Sequence, residues 1–119
     1  GPFILFNCVR IKSLIRKYNS SDFEGVVVRE VSDKEKALIS KLNDYEKVLE
    51  QAGENYNPAL IANYSYELAK EYSQFYASHY ILNEGNEDLK KFRLNLSNQV
   101  GRFLEKALNL LGIEVPERM

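Results

Sequence analysis

The sequence is poor in the residues that most often perform catalysis or hold a metal ion. It contains one cysteine, Cys8, one histidine, His79, and no tryptophan. A Ser/His/Asp arrangement would depend wholly on His79, and one His and one Cys far apart in sequence do not make a metal-ligand cluster. The phosphate-binding strings G-x-x-x-x-G-K-[ST] and G-x-G-x-x-G are also absent. We therefore expect no catalytic, cofactor or metal site in this chain.

Long hydrophobic runs and a second cysteine are missing as well. No apolar stretch approaches the roughly 20 residues that a membrane-spanning helix needs, and the start of the chain does not resemble a signal peptide. A single cysteine excludes an internal disulfide bond, which fits a reducing compartment. These observations predict a cytoplasmic protein without a membrane partner.

Charge of one sign is not in excess over the whole chain, but it is unevenly distributed. The net charge of −1 argues against a general nucleic-acid-coating protein, which would be strongly basic. Residues 1–20 nevertheless carry a charge of +4, from Arg10, Lys12, Arg16 and Lys17, whereas the rest carries −5. This basic stretch fits an oriented docking face on an acidic body, and it fits a solvated helix end equally well.

The spacing of apolar residues predicts one all-α domain that covers the whole chain, a bundle of about four main helices. A capping box at Ser32 and Glu35 and a C-terminal cap at Gly112 mark helix ends. Residues 18–31 are expected to form an irregular connector, and residues 113–119 a tail that folds back on the bundle. The expected helices cover residues 2–17, 32–53, 57–82 and 86–111.

Each predicted helix carries an apolar stripe that we expect to form the core. The stripes consist of Ile4, Cys8, Ile11 and Ile15; Leu38, Leu42, Tyr45 and Leu49; Ile61, Tyr64, Leu68, Tyr72 and Phe75; and Leu89, Phe92, Leu96, Val100, Phe103, Ala107 and Leu110.

A second stripe on the first helix is not needed for this core. Phe3, Phe6 and Arg10 share it, rotated by roughly 140° from the apolar stripe at about 100° per residue. The third helix region holds six of the eight tyrosines, more than one stripe can bury. Flat rings and a planar guanidinium suit unstacked nucleic-acid bases, so these residues predict a stacking surface.

Three segments identify a family. G-P-F-I-x-F-x-x-x-R at the start, N-P-A-L-I-A-N-Y-x-Y in the middle and L-L-G-I-E-V-P-E-R-M at the end resemble bacterial arginyl-tRNA synthetases, in order and in approximate spacing. The resemblance covers residues 1–119 and corresponds only to the C-terminal anticodon-binding helical domain of that family. The final P-E-R-M is its most specific part.

The resemblance implies a helical bundle that grips the anticodon stem and loop of arginine tRNA. It also implies a catalytic domain elsewhere in the same polypeptide, which uses ATP to attach arginine to the tRNA. The H-I-G-H and K-M-S-K-S motifs of that catalytic domain do not occur in this sequence. We therefore expect this chain to be a portion of a larger enzyme. The portion itself is expected to be monomeric, to have no activity or cofactor of its own and to bind neither DNA nor a membrane.

The resemblance also assigns site residues. The family's aromatic–x–x–aromatic–x–x–x–Arg element falls on Phe3, Phe6 and Arg10, which the helical pattern separates from the core. The family aromatics are usually tyrosines with a glutamine between them, whereas this chain has two phenylalanines and Leu5. The stacking surface is thereby kept, but the hydroxyl groups are lost.

The remaining contacts that the resemblance implies lie elsewhere in the chain. The aromatic contacts of the third helix fall on Tyr72 and Tyr76. The terminal methionine that approaches the anticodon pocket in the family falls on Met119. Lys17, together with Lys12 and Arg16, is expected to attract the RNA backbone in a salt-sensitive manner.

Two other functions remain open from the residues. One is a stand-alone helical protein–protein interaction module derived from the same domain that has lost its RNA role. The more distant alternative is an independent enzyme, whose activity would have to survive the substitution His79→Ala.

Overall fold

A computed structural model describes residues 2–18 and 30–116 of the chain. Within these ranges all regular structure is helical, which confirms the predicted all-α bundle. The predicted connector lies largely outside the described residues, and Met119 lies wholly outside them. The helices are α1 (Pro2–Tyr18), α2 (Asp33–Asn43), α3 (Tyr45–Glu54), α4 (Ala59–Ser78) and α5 (Glu87–Leu110).

The helix ends follow the signals in the sequence. The Ser32 hydroxyl accepts a hydrogen bond from the Glu35 backbone N–H at 3.1 Å, and the Glu35 carboxylate accepts one from the Ser32 N–H at 2.8 Å. The Asn86 side chain caps α5 in the same way, through the N–H of Leu89 at 3.1 Å. Gly112 follows α5 with a φ of +82°, a conformation that residues other than glycine rarely adopt. The predicted capping box and C-terminal cap are thus confirmed.

The second predicted helix is wrong as a single helix, because one residue, Asp44, separates α2 from α3. Asn and Asp have low helix propensities, and the backbone N–H of Asp44 donates to the carbonyl of Lys41, only three residues earlier, at 3.2 Å. The break allows Tyr45 to become buried, with its ring centroid 4.7 Å from that of Phe103. The apolar contact therefore compensates for the interrupted helix.

The third predicted helix ends earlier than expected, at Ser78 instead of Leu82. His79 takes an extended backbone conformation, with φ −131° and ψ 139°. This change of direction leads into Ile81, which is only 6% exposed and belongs to the core. Burial of Ile81 thus accounts for the early end of α4.

The core lies between α4 and α5, against which the other helices pack. Helix α1 contacts both α4 and α5, α2 also contacts both, and α3 contacts α4. The buried apolar residues are Ile4, Cys8, Ile11, Leu14, Leu38, Tyr45, Ala52, Tyr64, Leu68, Ala69, Tyr72, Phe75, Ile81, Leu94, Leu96, Val100, Leu104, Ala107 and Leu108.

Eight members of the predicted stripes are not among these buried residues. Leu110 is 60% exposed at the end of α5, where Leu108 is buried instead. The other seven are half-buried, and all of them except Leu89 pack against the core: Ile15, Leu42, Leu49, Ile61, Leu89, Phe92 and Phe103. On α5 the difference arises because α1, α2 and α4 all cover this helix, so that its buried surface is wider than one stripe.

The chain beyond α5 returns to the bundle. Ile113 donates its backbone N–H to the carbonyl of Leu108 at 2.9 Å, and both Ile113 and Val115 pack against the core. The predicted return of the tail is confirmed for these two residues. Over residues 2–18 and 30–116, no helix combines the length and the apolar character needed to cross a membrane.

Candidate nucleic-acid interface

An arginine and two exposed aromatic rings meet where α1 packs beside α4. The Cζ atom of Arg10 lies 4.7 Å from the ring centroid of Phe6 and 4.4 Å from that of Tyr76. Phe6 is 51% exposed and Tyr76 is 39% exposed. We call Phe6, Arg10 and Tyr76 the arginine cluster. It brings together two predicted site residues of α1 and one of α4.

The arginine cluster places the Arg10 guanidinium over two aromatic rings. A guanidinium carries its five N–H donors in its own plane, and a contact with a ring face does not use them as hydrogen bonds. Among the described residues, no carboxylate or carbonyl accepts from the Arg10 side chain. A base edge or a phosphate oxygen that reached Arg10 would therefore meet guanidinium donors beside two partly exposed aromatic rings.

A second pair of aromatic residues continues the same seam between α1 and α4. The rings of Phe3 and Tyr66 have centroids 5.7 Å apart and planes tilted by 51°. Phe3 is 39% exposed and Tyr66 is 48% exposed. We call these two residues the aromatic pair. Phe3 was predicted from the sequence, whereas Tyr66 was not assigned to the site.

The helical pattern did not identify Tyr66 because of its distance from Tyr76. The two residues are ten positions apart, which rotates them by roughly 80° on an ideal helix. In the fold both contact the exposed side of α1, Tyr66 through Phe3 and Tyr76 through Arg10. The sequence did show a surplus of tyrosines on this helix. That surplus indicated an aromatic surface, but it did not show which tyrosines belong to it.

Tyr72 does not lie on this surface, and the expectation that it offers a stacking face is wrong. Its side chain is fully buried, and its hydroxyl donates to the Ser97 hydroxyl oxygen at 3.0 Å. Burial raises the pKa of the Tyr72 hydroxyl above its usual range. The Tyr72 and Tyr76 ring centroids are 6.1 Å apart, so Tyr72 supports the arginine cluster from the core side.

The basic residues of α1 are divided between two sides of the helix. Lys17 is exposed and is rotated by only about 20° from Arg10 on a helical wheel. Lys12 instead faces α5, where its ammonium group lies 3.2 Å from a Glu105 carboxylate oxygen. Lys12 and Arg16 line a groove of about 400 Å³ together with Arg102 of α5. Lys17 is therefore the basic residue of α1 that shares the side of the arginine cluster.

The single histidine and the single cysteine occupy structural positions. The two ring nitrogens of His79 each lie 2.8 Å from a serine hydroxyl, Nε2 from Ser32 and Nδ1 from Ser78. Cys8 is 1% exposed, and burial raises the pKa of its thiol to about 12. Within the ranges that the structure describes, no three His, Cys, Asp or Glu side chains are grouped to hold a metal ion.

Comparison with known proteins connects this fold to one family. Residues 4–119 match the DALR anticodon binding domain family. The arginine–tRNA ligase of Phocaeicola vulgatus is 50% identical, over all of this chain and 20% of the ligase. That of Flavobacterium psychrophilum is 45% identical, again over all of this chain and 20% of the ligase.

A solved structure gives the same correspondence. The Thermus thermophilus arginyl-tRNA synthetase superposes on the whole of this chain with a TM-score of 0.91 and 28% identity, over 21% of its own length. The chain thus spans about a fifth of the length of the curated relatives it matches. It belongs to the DALR anticodon binding domain family and corresponds to the anticodon-binding domain of arginyl-tRNA synthetases.

Proposed function

We propose that this chain binds the anticodon stem and loop of arginine tRNA through the exposed α1–α4 seam. The observation that carries the proposal is the arginine cluster, in which Arg10 lies within 4.7 Å of the Phe6 centroid and 4.4 Å of the Tyr76 centroid. Unpaired bases are recognised by aromatic stacking and by hydrogen bonds to their edges, and the cluster provides groups for both. Membership of an anticodon-binding family supports the same ligand.

Each member of the arginine cluster has a separate task in this proposal. Phe6 and Tyr76 offer ring surface to loop bases, a contact worth roughly 1–3 kcal/mol per base. Arg10 donates in-plane hydrogen bonds to a base edge or to a phosphate oxygen. Lys17, on the same side of α1, adds an attraction to the phosphodiester backbone that is weakened by salt.

The proposal also includes the rest of the polypeptide and the last residue of this chain. The chain spans about a fifth of its relatives, so the larger part would contain the catalytic domain. That domain would use ATP to attach arginine to the tRNA in the cytoplasm, and this chain by itself would be monomeric. Met119 would approach the anticodon pocket. This chain would supply tRNA recognition and no cofactor site.

A binding titration tests the proposal. The full gene product that carries this chain is titrated with a labelled anticodon stem-loop of arginine tRNA and with a hairpin of scrambled loop sequence, over a series of salt concentrations. We expect tighter binding of the arginine stem-loop and a decline with salt that corresponds to a few phosphate contacts. Equal affinity for the two hairpins would contradict the proposal and favour the protein–protein interaction module.

Substitution of Arg10 locates the contact within the domain. Arg10→Ala should weaken stem-loop binding by about tenfold or more, and Arg10→Lys should restore little, because an ammonium lacks the planar fork that stacks on rings. Arg102→Ala is the matched control, since Arg102 is an exposed arginine on α5. It should leave the preference for the arginine loop unchanged. Full binding by Arg10→Ala would exclude the arginine cluster as the contact.

A further inference from the structure

An apolar groove opens at the end of the bundle where α3 ends and α4 begins. It has a volume of about 500 Å³ and is lined by residues of α3, α4 and α5 and of the segment between α3 and α4. None of the described residues that line it is charged. A nucleic-acid backbone is bound through cationic side chains, so the groove does not suit RNA. Its apolar lining consists of Leu49, Ala52, Tyr56, Pro58, Ile61 and Leu110.

Two side chains of the apolar groove face solvent almost completely or for the greater part. Tyr56 is 93% exposed and Leu110 is 60% exposed. Large apolar side chains that are exposed together on one surface are typical of a site that another protein segment covers. The centres of contacts between proteins are likewise poor in charged residues and rich in aromatic ones. The composition of the groove therefore indicates contact with protein.

The backbone of Tyr56 supports the same interpretation. Its φ of +49° lies in the left-handed region, where a residue with a Cβ atom is strained and glycine is usual. This conformation ends α3, and the N–H of Asn57 donates to the carbonyl of Ala52 at 2.9 Å. With 93% of its surface exposed, the tyrosine gains almost no packing within the described residues to offset the strain. A contact outside these residues would explain a tyrosine at this position.

The start of α1 lies at the same end of the bundle as the apolar groove. Phe3 contacts Tyr66, and Arg10 contacts Tyr76, so α1 and α4 run in the same direction. The first residues of α1 are therefore close to the end at which α4 begins.

The end of α5 lies there as well. Tyr72 donates to Ser97, whereas Tyr64, earlier on α4, and Phe103, later on α5, both contact the ring of Tyr45. Helices α4 and α5 thus run in opposite directions. A segment that leads into α1 therefore arrives at the end of the bundle that carries the apolar groove.

We propose that an apolar segment of the polypeptide preceding α1 packs into the apolar groove and fixes the orientation of the bundle relative to the rest of the enzyme. The inference rests on the proposed function, in which this chain is the C-terminal domain of a larger protein. The chain spans about a fifth of the length of its relatives, so most of the polypeptide is available for this contact. The contact determines how the arginine cluster is presented relative to the larger part.

Photo-crosslinking tests the contact in the full gene product, without RNA. The photoreactive amino acid p-benzoylphenylalanine replaces Tyr56 in one protein and Tyr80 in the control. Tyr80 is 70% exposed and follows the end of α4, away from the apolar groove. We expect the Tyr56 position to crosslink to sequence preceding α1 within the same molecule, and the Tyr80 position not to do so.

Three crosslinking results would overturn the inference. Crosslinks between two molecules would mean that a second copy covers the groove. Crosslinks that require an added stem-loop would mean that RNA covers it. Crosslinks confined to this chain, or none at all from the Tyr56 position, would mean that the preceding polypeptide does not reach the groove.

A charge placed in the apolar groove gives an independent measurement. Leu110→Asp should lower the crosslink yield from the Tyr56 position about fivefold or more, because a carboxylate is costly to bury in an apolar contact. Asn109→Asp is the matched control, since it places the same charge on an exposed neighbouring residue that does not line the groove. Circular dichroism should show unchanged helix content in both variants. An unchanged yield with Leu110→Asp would contradict the contact.

The crosslink and RNA binding can fail separately. A crosslink to the preceding polypeptide without preference for the arginine stem-loop would keep this contact and reject the proposed function. Preference for the stem-loop without the crosslink would keep the proposed function and reject this contact.

Discussion

Two tyrosines one helical turn apart show how burial decides the role of a residue in this domain. Tyr72 and Tyr76 lie on α4 with ring centroids 6.1 Å apart. Tyr72 is fully buried and bonded to Ser97, whereas Tyr76 is 39% exposed and lies under Arg10. Because Tyr72 is covered, it would affect RNA under the proposed function only through the position of Tyr76, whereas Tyr76 would offer its own ring.

We expect loss of the hydroxyl group to destabilise the protein much more at Tyr72 than at Tyr76. Tyr72→Phe should lower the free energy of unfolding by about 1–2 kcal/mol, because the buried Ser97 hydroxyl loses its partner. Tyr76→Phe should change the free energy of unfolding by less than about 0.5 kcal/mol, since the Tyr76 side chain is 39% exposed. Urea unfolding measures both. Weaker stem-loop binding by Tyr72→Phe at unchanged stability would return Tyr72 to the binding surface.

At this scale the sequence predicts part of the site. The helical wheel separates Phe3, Phe6 and Arg10 from the core without any coordinates, and all three lie at the α1–α4 seam. It does not predict Tyr66, because membership of the seam depends on how α4 lies against α1. The number of tyrosines on α4 is visible in the sequence, but which of them are covered is a property of the packed helices.

Among the helices, α1 and α5 approach each other at a glycine. A Cβ atom placed on Gly101 would lie 2.7 Å from Cγ2 of Ile11, closer than two carbon atoms approach without displacement. Ile11 is 2% exposed, and its β-branched side chain has little rotational freedom in a helix. The position of α1, and with it that of Arg10, therefore depends on the absence of a side chain at residue 101.

Substitution of two helical glycines by alanine tests this contact. Gly101→Ala should lower the free energy of unfolding by about 1–2 kcal/mol, since overpacking outweighs the better helix propensity of alanine. Gly53→Ala, in α3 with no atom within 4 Å of its added Cβ, should be neutral or stabilising by up to about 1 kcal/mol. Thermal unfolding of the two variants gives the comparison, and equal stability would contradict the close approach.

The helices themselves were predictable where their ends carry local signals. Ser32 with Glu35, and Gly112, act through neighbouring backbone atoms, and both were identified correctly. The break at Asp44 was not, because a single aspartate is tolerated in many helices. It interrupts this one because Tyr45 gains a buried position against Phe103, a residue 58 positions away in the sequence.

Over the whole molecule, a buried ion pair connects the parts of the bundle that lie away from the aromatic seam. The Glu35 carboxylate is 1% exposed and accepts a hydrogen bond from Arg93 Nε at 3.1 Å. Arg93 also donates to the Tyr80 carbonyl at 2.8 Å and to Glu84 at 3.0 Å. One guanidinium thereby joins the start of α2, the segment after α4, and α5. These polar contacts therefore connect the three segments in addition to the apolar core.

The neutral groups buried in the core predict how the stability of the molecule depends on alkaline pH. Burial raises the pKa of the Cys8 thiol to about 12, whereas a thiol in an unfolded chain titrates near about 8.5. Burial also raises the pKa values of Tyr45, Tyr64 and Tyr72. Above the unfolded pKa the unfolded chain binds fewer protons than the folded one, so stability falls as the pH rises.

For Cys8 alone, the free energy of unfolding should fall by about 1.4 kcal/mol per pH unit between roughly pH 9 and pH 12. The tyrosines add to it only above about pH 10, where the hydroxyls of the unfolded chain ionise. Urea unfolding of the protein and of Cys8→Ala at half-unit steps from pH 7.5 to 10.5 separates the two contributions. Cys8→Ala should be less stable at pH 7.5 but lose stability more slowly as the pH rises, and it should keep the smaller slope above pH 10, where the tyrosines add the same slope to both proteins. Identical slopes below pH 10 would show that the thiol ionises in the folded core, which its 1% exposure argues against.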